Sequence, residues 1–207
     1  MTEPRRLTEL QLDALREMGN IGSGHAAASL STLLGHPVRM DVPAANLSDL
    51  GQIGALLGGR EAMVWAVYLT VSGDLEGHMA LLIREAEARR LVGVLLPNRG
   101  AASAMDELAE STLAEIGNIL TSAYVGALTQ LTGFDLRPSP PLLAHDQAGA
   151  VLDSLAAEIH LAGQTIVTLE GRLEVPAIPG CGVLLVFLPP PAILPRMFEA
   201  LGLDALR

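Results

Sequence analysis

The chain has 207 residues, half of them hydrophobic, with a formal charge of −10 and a pI near 4.8. Such acidity argues against nucleic acid, whose phosphate backbone demands a basic surface, and against docking on anionic membranes. The single cysteine, Cys181, rules out a disulfide within the chain and points to a reducing compartment.

The N-terminal "MTEPRRLTEL" lacks the apolar run of a signal peptide. The longest apolar stretches, Met63–Val71 and Gly182–Leu188, are too short to span a bilayer as helices. A cytoplasmic protein is therefore expected. Aromatics make up only 3% of the residues, so the core must be built from Leu, Val, Ile, Ala and Met.

In chain order, Thr8 is a candidate N-cap for a long helix carrying Leu12, Leu15, Met18 and Ile21, which ends at Gly35 with Pro37 beyond. Val38–Pro43 reads as a short strand, and Ala44–Gly59 as a loop with a helical piece. Glu61–Val71 and Gly77–Arg84 are strands joined by the turn "SGDLEG". Glu85–Leu96 is a short helix stopped by Pro97 and Asn98. Met105–Thr132 is a second long helix closed by Gly133, followed by an extended exit, "FDLRPSPP". Asp146–Ala157 reads as a helix, Gln164–Val175 and Gly182–Pro189 as strands, and Ala192–Leu203 as a final helix.

This order of elements repeats, and so do the residues. At an offset of 98, Asp13–Pro43 aligns with Ser111–Pro141 with ten identities in thirty-one positions. Self-similarity of that kind implies a repeated architecture. The expected fold is an α/β (α+β) single domain over residues 1–207 made of two pseudo-symmetric halves, about 8–98 and 102–207. About six strands would form one mixed or antiparallel sheet, with both long helices on one side. Two fused repeats make a pseudo-dimer within one chain, so a monomer is expected.

Asp13, Glu17 and Asn20 are separated by four and three residues, which makes them neighbours on one helical face. The second helix repeats the array as Ser111, Glu115 and Asn118. Gly19 and Gly22 flank Asn20, and Gly117 flanks Asn118. Each glycine costs the helix about 0.5–1 kcal/mol relative to alanine. Two readings explain them. They lower the helix surface around Glu and Asn so that another molecule approaches closely, or they let the helix press on the sheet.

The polar face likewise has two readings, a solvated surface or a duplicated site. Asparagine is mildly unfavourable inside a helix, and its recurrence favours a site. A phosphate-binding loop fits poorly, because "GNIGSG" is G-x-x-G-x-G with no strand before it and no G-K-[ST] after it. The five histidines are scattered without metal-ligand spacing. Ser23 and Ser111 have no evident histidine partner, and Cys181 lies in a strand-like run.

The full spacing is D-x3-E-x2-N-x22-P for Asp13, Glu17, Asn20 and Pro43, and S-x3-E-x2-N-x22-P for Ser111, Glu115, Asn118 and Pro141. It resembles the signature of the CheC/CheX/FliY family of chemotaxis phosphatases. "EMGNIGSGHAA", "EIGNILTSAYVGAL" and "VSGDLEGHMALLI" carry the resemblance, which runs from Leu10 to Leu203. Two intact signatures in about 200 residues fit the CheC branch, and the flagellar-switch domain of FliY has no counterpart here.

The resemblance implies hydrolysis of the aspartyl-phosphate on a CheY-like response regulator. Asn20 and Asn118 would orient the attacking water, and Glu17 and Glu115 would pair with the regulator's active-site lysine. Asp13 and Ser111 would support docking, while Pro43 and Pro141 would close strand exits. The protein would need no cofactor of its own, since the regulator would bring Mg²⁺. Family members commonly bind the deamidase CheD, for which Ala144–Ala157 is the candidate surface. A non-catalytic module that binds a regulator or CheD is the rival expectation, and a flagellar-switch component a weaker one.

Overall fold

The computed structural model describes residues 7–96, 105–158, 166–175, 178–188 and 193–203. The expected helix stop at Pro97 and Asn98, the strand start at Gln164, the strand end at Pro189, the helix start at Ala192 and His160 lie outside these residues.

Helix α1 spans Glu9–Leu34, and Thr8 caps it through a capping box with Gln11. Its C-cap, Gly35, adopts the left-handed conformation at φ 64° that favours glycine. Strand β1 (Arg39–Ser48) and the short helix α2 (Leu50–Leu56) follow. Then come β2 (Met63–Gly73), β3 (Gly77–Arg84) and α3 (Glu85–Leu95). The second half runs α4 (Glu107–Thr132), β4 (Leu136–Pro138), β5 (Leu142–Gln147), α5 (Ala148–Glu158), β6 (Ile166–Val175), β7 (Ile178–Leu188) and α6 (Ile193–Ala200). Asp106 caps α4 at Ala109 N–H, and Gly133 closes it in the left-handed region.

Every strand pairing is antiparallel, in the order β1-β6-β7-β3-β2-β4, with β5 beside β2 on the same edge as β4. Among the described residues, seven strands therefore occupy six ranks. Exchanging the halves (β1 for β4 and β5, β2 for β6, β3 for β7) reverses this order onto itself. The sheet thus has a pseudo-two-fold axis between β3 and β7.

The edge strands correspond as well. The register of β1 shifts between Asp41 and Ala44, across Val42 and Pro43. At the offset of 98, that shift falls between β4 and β5, where Pro141 lies. A proline brings no N–H to a ladder, so both edges break at the matching residue. The prolines thus interrupt edge strands, and Pro43 stands inside β1 rather than at its exit.

Two further differences from the sequence reading concern the same edges. Strand β1 continues to Ser48, beyond the expected end at Pro43. The stretch Asp146–Ala157, read as a helix, begins inside β5 and becomes helical at Ala148.

Side chains alternate between the two faces of the sheet. Val67, Leu69, Leu81, Leu169, Leu185 and Phe187 join α1, α3, α4 and α6 in the larger core. Val64, Ala66, Ala80, Leu82, Leu184 and Val186 pack with α2 and α5 on the other face. Both long helices therefore lie on one side of the sheet, packed against each other.

Candidate active site

The buried stripe of α1 is Leu15, Met18, Gly19, Gly22, Ser23, Ala26 and Leu30. These positions recur at three- and four-residue steps, the period of a helix anchored along one line. Asp13, Glu17 and Asn20 fall off that line and are exposed. On α4 the stripe is Leu113, Ile116, Gly117, Leu120, Thr121, Tyr124 and Leu128. It leaves Ser111 and Glu115 exposed and Asn118 half-buried. Both Glu–Asn pairs thus stand on outward faces of neighbouring helices.

The glycines named in the sequence point the other way. A Cβ on Gly19 would lie 3.0 Å from Val42 Cγ1 of β1. On Gly117 it would lie 2.4 Å from Val67 Cγ2 of β2, and on Gly22 2.6 Å from the Tyr124 ring. Gly19 and Gly117 let each motif helix press on the sheet, and Gly22 admits the Tyr124 ring from α4. The reading of these three as a lowered outer surface is corrected: what approaches them is the protein's own core. Gly24 has open space around its Cβ position and lies on the outer face one turn beyond Asn20.

The contact between α1 and α4 contains a feature that the motif alone does not announce. The Ser23 and Tyr124 hydroxyls share a buried hydrogen bond of 2.8 Å. Burial holds the Tyr124 phenol neutral and pushes its pKa up to about 12. The counterparts of Gly22 and Tyr124 at the offset of 98 are Leu120 and Ala26, both fully buried. At both positions a small residue in one repeat answers to a large one in the other. That exchange is readable in the aligned repeats once the two stripes are known to face each other.

Around the polar arrays the two copies differ in detail. Asp13 forms an exposed ion pair with Arg16 at 2.6 Å. Ser111 Oγ instead donates to the Glu107 carbonyl at 2.8 Å, within its own helix. Ser122 Oγ donates to Asn118 Oδ1 at 3.5 Å, whereas the matching position beside Asn20 is Gly24, which brings no donor. A carboxylate and an amide on an open helical surface suit recognition and water orientation rather than nucleophilic attack.

Other polar clusters lie away from these helices' outer faces. Cys181 is buried beside the Glu87 carbonyl, and burial pushes its thiol up to about 12. Glu87 is itself bridged by Arg84 and Arg90. Among the described residues, no group of three or more His, Cys, Asp or Glu side chains is placed to hold a metal ion. No helix among them is long and apolar enough to cross a membrane.

The family comparison falls on the same two segments. The sequence profile of the CheC-like family matches residues 10–47 and 108–143, the two motif helices with the edge strands that follow. The chain is 33% identical over 167 residues to the CheY-P phosphatase CheC of Bacillus subtilis, covering 79% of this chain and 80% of that protein. It is 24% identical over 137 residues to the flagellar motor switch phosphatase FliY of the same organism, covering 65% of this chain and 35% of that one. Among solved structures, Thermotoga maritima FliY superposes with a TM-score of 0.76 at 19% identity, over 95% of this chain and 98% of that one. With both signatures present and related by the pseudo-two-fold, and with this kinship to CheC, the chain belongs to the CheC-like family.

Proposed function

We propose that this protein is a CheY-P phosphatase of chemotaxis, hydrolysing the aspartyl-phosphate of a CheY-like response regulator. The observation that carries this reading is the matched Glu–Asn pair, Glu17 with Asn20 and Glu115 with Asn118, on the outward faces of α1 and α4. The kinship with B. subtilis CheC supports it.

An acyl phosphate is already activated, so positioning and electrostatics suffice for its hydrolysis. The amide oxygen of Asn20 or Asn118 accepts a hydrogen bond from water and holds it in line with phosphorus. The water oxygen bonds to phosphorus as the acyl oxygen–phosphorus bond breaks. The regulator's aspartate recovers its carboxylate and inorganic phosphate leaves. Asparagine is no general base, so the proton passes to bulk solvent or to phosphate oxygen. Glu17 or Glu115 pairs with the active-site lysine of the regulator, which fixes the docked geometry. The Mg²⁺ ion belongs to the regulator and arrives with the substrate.

The protein acts in this reading as a monomer with two sites. Its surface for a CheD-like deamidase is Ala144–Ala157, formed by β5 and α5. Purified regulator loaded with acetyl phosphate provides the test. Catalytic amounts of this protein should speed phosphate release, and unchanged decay would refute the activity.

A further inference from the structure

The repeat extends beyond the signature by three residues on the N-terminal side. Leu10 and Leu108 are also related by the offset of 98, and each is the second residue of its helix. Leu10 lies three residues before Asp13 and seven before Glu17. Leu108 has the same spacing to Ser111 and Glu115. Those steps place both leucines on the face that carries the Glu–Asn pair.

Leu10 is 68% exposed and Leu108 48%, among the most exposed large apolar side chains of the described residues. The apolar residues just before each cap, Leu7 and Met105, fold onto the core instead. Their exposure is therefore not a fraying of the helix starts. A single exposed leucine is ordinary. Here the same residue projects from the same turn in both halves, at the N-terminal rim of both candidate sites.

The charges around them say what kind of contact the face needs. Glu9, Asp13 and Glu17 lie within seven residues of Leu10, and Asp106, Glu107, Glu110 and Glu115 within seven of Leu108. The neighbouring cation on α1, Arg16, is tied to Asp13. An anionic phosphorylated surface gains no long-range attraction from such a face. Affinity must then come from short-range contacts, apolar burial beside the Glu–lysine pairing.

We propose that Leu10 and Leu108 are apolar docking anchors for the phosphorylated receiver domain, one at each site. The proposal rests on the phosphatase reading, and it commits to the receiver as occupant because the leucines continue the Glu–Asn face in both copies. Each leucine seats in an apolar depression beside the receiver's phosphorylated aspartate and sets affinity. The adjoining asparagine sets turnover.

The test uses the full chain and its cognate regulator in two states, beryllofluoride-loaded for binding and acetyl-phosphate-loaded for turnover. Because two sites would mask each other, turnover is read for Leu10→Asn in an Asn118→Ala background and for Leu108→Asn in an Asn20→Ala background, and binding is read on the double variant Leu10→Asn with Leu108→Asn. Loss of one buried leucine should weaken binding and raise KM by about tenfold, with kcat unchanged. Leu10→Met and Leu108→Met should restore both, which separates apolar contact from folding.

Unchanged binding of the double leucine variant and unchanged KM of the two single ones would overturn the proposal while leaving the phosphatase reading intact. Absent turnover by the wild-type chain would refute that reading, and the binding series would still decide the anchors. Altered self-association of the leucine variants with unchanged regulator binding would assign the leucines to a second copy of this chain and overturn the proposal.

Discussion

Alanine replacement of the helical glycines separates packing from helix propensity within one chain. Glycine to alanine inside a helix gains about 1 kcal/mol where the new methyl meets nothing. Overpacking a dense core costs about 1–3 kcal/mol. At Gly117 the new Cβ would sit 2.4 Å from Val67 Cγ2 and 2.6 Å from Val67 Cβ. Val67 lies in β2, which is paired with β3 on one edge and with β5 on the other, so it cannot withdraw. The propensity gain is outweighed, and Gly117→Ala should lose about 2 kcal/mol net.

Gly22→Ala meets the Tyr124 ring at 2.6 Å, a ring tethered through its hydroxyl to Ser23, and should lose about 1 kcal/mol. Gly19→Ala meets Val42 at 3.0–3.3 Å and should lie near neutral. Gly24→Ala meets nothing within 4 Å and should gain about 0.5–1 kcal/mol.

Urea unfolding followed by fluorescence of the single tryptophan, Trp65, reads the series, since that ring is buried and stacks on His145 at 4.2 Å. With a urea m-value of about 2 kcal/mol/M, the Gly117→Ala midpoint should fall by about 1 M. A Gly117→Ala protein as stable as wild type, or a Gly24→Ala protein less stable, would refute the placement of these helices on the sheet.

Other expected outcomes follow from burial. The Tyr124 phenol ionises only near pH 12 in the folded chain, against about 10 when unfolded. The stability from its neutral form is complete below about pH 10 and falls by about 2 kcal/mol as pH rises toward 12. Tyr124→Phe should remove that contribution, leaving the fall that the buried Cys181 thiol adds over the same range, while costing about 1 kcal/mol at neutral pH through the unpaired Ser23 hydroxyl. Unfolding midpoints across pH 8–12 test both. The Cys181 thiol, buried and held protonated, should react with an aromatic disulfide reagent at pH 8 only as fast as the chain unfolds. Immediate stoichiometric labelling would contradict its place in the core.

Much of this architecture is legible in the residues because several local signals agree. For α1 and α4, caps at Thr8 and Asp106 coincide with apolar periodicity and with glycine stops at Gly35 and Gly133. Strand β3 begins and ends where the sequence places it, because the turn through Gly73 bounds an uninterrupted apolar run. Strand β5 is obscured because its residues are largely exposed along a sheet edge, with the apolar ones grouped before the polar ones, so no alternation marks them. The second half of β1 is hidden by Pro43, which looks like a stop and instead marks an irregularity within an edge strand.

The Glu–Asn pairs are found from spacing alone, because four- and three-residue steps fix a helical face. The direction of the glycines is not fixed so simply. Small residues suit either a partner's approach or the chain's own packing, and only the positions of Val42, Val67 and Tyr124 decide between them. The leucine anchors escape notice because the repeat is most conspicuous from Asp13 onward, where the signature begins.

Phosphate release from an acetyl-phosphate-loaded regulator, compared among wild type, Asn20→Ala, Asn118→Ala and the double variant, tests the central claim most directly. Each single variant should retain the turnover of its untouched copy. The double variant should fall to the regulator's own rate while keeping the wild-type unfolding midpoint. A folded double variant that still accelerates phosphate release would contradict the assignment of hydrolysis to these two asparagines.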